Sequence, residues 1–120
     1  MKIDNKVAGG GVKTAFGEFT LASETNTITI EHKLGSTPKS FIIYLDAESA
    51  FSNLSEMRLL NVEWNSGMNY PRIEYKYDAY TAYVGSFSNT PVSVDSDTIT
   101  FTDNGGRRFA SYKYKWLALA

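Results

Sequence analysis

The chain has 120 residues, 12 of them basic and 13 acidic, for a formal net charge of -1. That length supports one domain with a full core, and the charge balance argues against a strongly electrostatic partner such as nucleic acid or an anionic membrane. Cysteine is absent, so there is no disulfide framework and no redox compartment to infer.

No apolar run approaches the ~20 residues of a membrane span. The opening Met1-Lys2-Ile3-Asp4-Asn5-Lys6 lacks the apolar stretch of a secretory signal, so synthesis and folding in a cytoplasm are expected. Residues 1–13 contain Gly9-Gly10-Gly11, whose backbone entropy disfavours a regular element. They are expected to form a flexible arm, either a frayed terminus or a segment that docks on a neighbouring subunit. Residues 14–120 are expected to form a single domain.

Residues 14–21 read as a strand with Phe19 and Leu21 on one face and Gly17 as a bulge. A polar turn over 22–26 precedes Thr27-Ile28-Thr29-Ile30-Glu31, where isoleucines alternate with polar residues. That period of two marks a strand with one buried face. Gly35 and Pro38 then predict a rigid corner, because glycine takes a positive φ and proline holds the preceding residue extended. Phe41-Ile42-Ile43-Tyr44-Leu45 has no polar face, as in a central strand covered by the core on one side and by another layer or subunit on the other.

Residues 46–54 read as a loop, with a short helical turn as an alternative. Strand character resumes over 57–64, with Leu60, Val62 and Trp64 on one face, and Asn65-Ser66-Gly67 forms a turn. Residues 70–77 alternate Ile73, Tyr75 and Tyr77 against Arg72, Glu74 and Lys76. Further strands are predicted at 80–87, 92–94 and 97–102. Thr98-Ile99-Thr100-Phe101 resembles Thr27-Ile28-Thr29-Ile30, although strand composition alone produces such matches. Asp103-Asn104-Gly105-Gly106 signals a hairpin turn. The last strand is placed at 107–120, with Tyr112, Tyr114, Trp116 and Ala118 on one face and Lys113 and Lys115 on the other. The sum is an all-β chain of about eight strands, an antiparallel β-sandwich or small barrel.

Reactive constellations are scarce. The single histidine, His32, has no nucleophile elbow to serve and reads as a residue that hydrogen-bonds backbone beside the corner. One histidine and no cysteine disfavour zinc. The pairs Asp46/Glu48 and Asp95/Asp97 supply too few oxygen ligands in one run for a calcium loop, and Asp95-Ser96-Asp97 reads as a turn. The glycine runs Gly9-Gly10-Gly11 and Gly105-Gly106 lack the lysine and the strand–helix context of a phosphate loop. Arg107-Arg108 could bind a phosphate or carboxylate, but reads first as a solvated strand start. No catalytic residue, metal or cofactor is assigned, and a non-enzymatic chain is expected.

The tyrosines leave two readings open. Tyr70, Tyr75, Tyr77, Tyr80, Tyr83, Tyr112 and Tyr114, with Trp64 and Trp116, either fill the core and its rim or form an exposed platform. Such a platform would stack sugars or make a subunit contact.

The run Gly17-Glu18-Phe19-Thr20, then Ile28-Thr29-Ile30-Glu31-His32-Lys33-Leu34-Gly35-Ser36-Thr37-Pro38-Lys39, then Phe41-Ile42-Ile43-Tyr44, resembles small β-sandwich modules of bacteriophage tails. These are similar in pattern to H-type lectin-like domains, in which a strand ends in His-x-Leu-Gly, a Pro-Lys corner follows and an apolar strand continues. Tyr112-Lys113-Tyr114-Lys115-Trp116-Leu117-Ala118 is similar to their aromatic-x-Trp-x-Ala endings. The resemblance covers about two thirds of the chain and rests on structural residues: His32, Gly35 and Pro38 at the corner, and the last strand. It implies a virion component of a phage tail, baseplate or tail fibre, working as a trimer or hexamer with other tail proteins. The lectin sugar-contacting residues find no match in this chain. Recognition of host surface glycans through Tyr and Trp stacking is therefore the alternative expectation.

Overall fold

The computed structural model describes residues 2–8, 12–46, 57–76 and 81–120, the first of these as backbone alone. Among them the chain is all-β, with two antiparallel sheets and no helix. The strands are β1 (Lys2–Ala8), β2 (Val12–Thr20), β3 (Thr27–Glu31), β4 (Ser40–Leu45), β5 (Arg58–Asn65), β6 (Arg72–Lys76), β7 (Ala82–Ser86), β8 (Val92–Val94), β9 (Thr98–Thr102) and β10 (Lys113–Leu119). The larger sheet has the order β1-β2-β10-β4-β5-β6-β7, and the smaller has β3-β9-β8. The two form a β-sandwich.

The alternation seen in the sequence decides which face is inner. On β3, Ile28 and Ile30 are buried while Thr27, Thr29 and Glu31 are exposed; on β9, Ile99 and Phe101 are buried. From the larger sheet, Phe41, Ile43, Val62, Ile73, Trp116 and Ala118 meet them. An aromatic chain crosses between the layers: Phe101 meets Phe109 edge-on, Phe109 meets Tyr114 edge-on, and Tyr114 stacks on Phe19. Burying each such side chain contributes about 1.5–3 kcal/mol.

Four expectations need correction. The arm over residues 1–13 is not a free connector, since Lys2–Ala8 pairs along its length with β2, which itself begins at Val12; Gly9-Gly10-Gly11 lies outside the described residues, as does most of the expected loop over 46–54. The rigid corner joins two sheets, with β3 in the smaller and β4 in the larger. The corner therefore carries the chain across the sandwich. Asp103-Asn104-Gly105-Gly106 makes a second crossing of this kind, not a hairpin, and β10 starts at Lys113 rather than at residue 107. The intervening residues make single bridges, Arg58 to Arg108 and Thr25 to Phe109. Finally, a bulge between Leu59 and Asn61 shifts the phase of β5, so that Leu59 and Val62 are buried where Leu60 and Val62 were expected to share a face.

The likeness between Thr98–Phe101 and Thr27–Ile30 has a direct physical counterpart. The two segments are cross-strand partners, with Ile28 opposite Phe101 and Ile30 opposite Ile99. Their threonine hydroxyls meet on the outer face, Thr27 with Thr102 and Thr29 with Thr100, each at 3.3 Å.

Candidate interaction surface

His32 is fully buried at the corner. The Leu34 N–H donates to its Nδ1 at 3.0 Å, so Nε2 carries the proton and donates to the Asp95 carbonyl at 2.9 Å. Both nitrogens are thus occupied by backbone. Lys33 (φ 54°) and Gly35 (φ 76°) turn the chain here in the left-handed region, and Pro38 is buried behind them. Across from His32, the Asp95 carboxylate accepts from the N–H of Asp97 (2.8 Å) and of Thr98 (2.7 Å). Those bonds, the one from Asp97 foremost, hold its carboxyl below the usual carboxylate range. Asp95-Ser96-Asp97 is thereby the tight turn joining β8 to β9.

The aromatic residues singled out in the sequence are dispersed. Tyr75 and Tyr83 stack on each other at 5.5 Å, half-buried. Trp64 stacks on Phe41 at the far end of the sheet. Tyr114 and Trp116 are buried, whereas Tyr70 and Tyr112 are 44% and 41% exposed. Tyr77 and Tyr80 lie outside the described residues.

Arg107 is the buried polar centre that alternation did not foresee. Its guanidinium takes the Asp103 carboxylate through Nε at 2.7 Å and Nη2 at 3.1 Å, and Nη2 also donates to Asn89 at 2.9 Å. The group lies over the Phe87 ring at 4.4 Å and the Tyr75 ring at 5.2 Å. Arg108, the next residue, is exposed as expected. It lines a polar cleft with Glu24, Asn26, Asp103 and Asn104, and no aromatic ring lines that cleft. Among the described residues no group of three or more His, Asp or Glu side chains is arranged to hold a metal ion.

The larger sheet has an outer face with no layer over it among the described residues. Strand register puts Phe16 opposite Leu117, Leu117 opposite Ile42, and Ile42 opposite Glu63. All alternate with buried partners, so Phe16, Leu117 and Ile42 form an apolar row across the adjacent strands β2, β10 and β4. Tyr44 and Leu119, each 38% exposed, flank it. A shallow recess at one end is lined by Ile42, Glu63, Asn65, Met68, Leu117 and Leu119, among others. At the other end the row gives way to ion pairs: Lys113 meets Glu18 at 3.0 Å and Asp46 at 3.7 Å, and Lys115 meets Asp46 at 3.6 Å. The Glu18 hydrogen bond, then its charge, holds the Lys113 ammonium above the usual lysine range. The surface is therefore apolar in the middle and charged at one margin. Leu117 was the signal available in sequence, as an apolar residue on the lysine face of β10.

No family model, no curated protein and no solved structure matches the chain.

Proposed function

We propose that the protein is a non-enzymatic structural component of a bacteriophage tail, baseplate or tail fibre, assembling with copies of itself as a trimer or hexamer and with other tail proteins. It would be made in the bacterial cytoplasm and end in the virion. The place in a phage particle rests on the resemblance of the corner and of the last strand. The assembly role rests on one structural observation: the half-buried row Phe16–Leu117–Ile42 on the outer face of the larger sheet, which carries no further layer among the described residues. A row of large apolar side chains on a sheet face, bordered by charge at one margin, gains free energy when a second surface excludes water from it.

The test is the mass of the purified protein in solution, by sedimentation or light scattering, for wild type and for Leu117→Glu. Wild type is expected as a stable oligomer, and the variant, which places a charge in the middle of the row, as a folded monomer. A monomeric wild type that binds sugars on a glycan array would overturn this reading. It would support the alternative instead, a lectin-like module that recognises host surface glycans.

A further inference from the structure

An antiparallel sheet exposes backbone N–H and C=O groups along each edge strand, and folded proteins guard such edges with charge, proline, bulges or short length. Among the described residues four strands are edges: β1, β7, β3 and β8. The β1 sequence contains Lys2, Asp4 and Lys6. β3 ends in the exposed Glu31. β8 has only three residues and follows Pro91. β7 has none of these guards: Ala82-Tyr83-Val84-Gly85-Ser86 is five residues long, uncharged and free of proline, and Val84 at its centre is 48% exposed.

We propose that β7 pairs edge to edge with the β7 of a second copy, antiparallel about a two-fold axis at Val84. The inference rests on the reading that the chain assembles with copies of itself, and names one of the contacts. A two-fold contact lays each side chain beside its own copy, so a charge near the axis would meet itself. β7 carries no charge, whereas the other long edge, β1, carries three in its sequence. The nearest carboxylate on β6, Glu74, lies opposite Val84 within the chain. Across the dimer it would stand three strand spacings from its copy, about 14 Å, beyond the ~8–10 Å screening length.

The register is self-complementary as well. Centred on Val84, the pairing puts Tyr83 of one copy opposite Gly85 of the other and Ala82 opposite Ser86. The Phe87 ring already occupies the space over Gly85, so closely that a Cβ there would lie 2.9 Å from it, and Tyr83 of the second copy would meet the edge of that ring. Cross-strand aromatic pairs of this kind are stabilising. Tyr83 of the second copy would then extend the Tyr75–Tyr83–Phe87 cluster across the axis. Because a two-fold edge contact can join two trimers, it accounts for a hexamer as a pair of trimers.

The absence of cysteine gives a clean test. Val84→Cys places two thiols on the axis, at the Cβ separation of directly opposed strand residues, about 4.5–5.5 Å. Oxidation with copper phenanthroline, or joining with a short bis-maleimide, is expected to convert most of the protein to a covalent dimer. Thr29→Cys, on the exposed face of β3, is the control and is expected to remain uncrosslinked. Val84→Lys is expected to halve a hexameric mass while the fold, read by circular dichroism, persists. If Leu117→Glu dissociates the assembly but Val84→Cys does not crosslink above the control, the edge contact is wrong and the face contact stands. If Val84→Cys crosslinks while wild type sediments as a monomer, the edge contact stands and the stable-assembly reading fails. Absence of both oligomer and crosslink overturns both.

Discussion

Arg107 is the residue whose replacement the fold should tolerate least. It and Asp103 are almost wholly withdrawn from water, with side chains 6% and 0% exposed. The pair is stable there because each lone pair and proton facing inward is used: Asp103 also accepts from the Gly105 N–H at 2.6 Å, and Arg107 also reaches Asn89. Removing one partner strands the other charge, which in buried pairs costs about 3–5 kcal/mol. Arg107→Met should therefore lower the urea midpoint by that equivalent, and Arg107→Lys should lose the planar stack on Phe87 and much of the bidentate bond. The double variant Asp103→Leu/Arg107→Met should be more stable than Arg107→Met alone; if it is less stable, the stranded-charge account is wrong. Nothing in the linear sequence separates Arg107 from Arg108, one buried and one exposed. The distinction arises from the crossing after β9, which turns residue 107 inward under rings contributed by β6 and the segment after β7.

The corner shows what local chemistry does reveal. Gly35 and Pro38 announced a break between β3 and β4, and the isoleucine alternation before it and the apolar run after it placed both strands. Their sheet partners were not legible, since pairing depends on which faces meet across the sandwich and not on neighbours in the chain. The same holds for the last strand: its inner residues Tyr114, Trp116 and Ala118 were readable from period two, but its start was set six residues early, in a stretch that crosses between layers. Gly35 has no heavy atom near its missing Cβ, so a substitution there tests the backbone alone. Alanine in the left-handed region costs roughly 1–2 kcal/mol. Gly35→Ala should thus lower the thermal midpoint by roughly 4–8 °C for a chain of this size, and Gly35→Asn, which tolerates that region better, by less. An unchanged midpoint in Gly35→Ala would mean that the corner relaxes to another path.

At the scale of the whole molecule, stability converges on Tyr114, whose ring links the core of the larger sheet to Phe109 and Phe101. Its hydroxyl donates to the Leu59 carbonyl at 3.2 Å and accepts from the Ala110 N–H at 3.1 Å, tying β10 to β5 and to the crossing before it. Burial disfavours the phenolate and pushes the Tyr114 pKa up to about 12 from its ordinary 10. The unfolded chain then releases this proton more readily than the folded one. The stability that the neutral phenol contributes is whole below pH 10 and is lost as pH rises through about 12, on the order of 2–3 kcal/mol across that window. Monitored by tyrosinate absorbance, the Tyr114 phenol should titrate late and together with loss of near-ultraviolet circular dichroism. Tyr114→Phe should remove that late step, and should also weaken the fold at neutral pH by about 1–3 kcal/mol, since the Leu59 and Ala110 backbone groups lose their partner. A wild-type protein whose tyrosines all ionise near pH 10 with its fold intact would show that Tyr114 is open to water, and that the two sheets are not closed over the aromatic chain joining them.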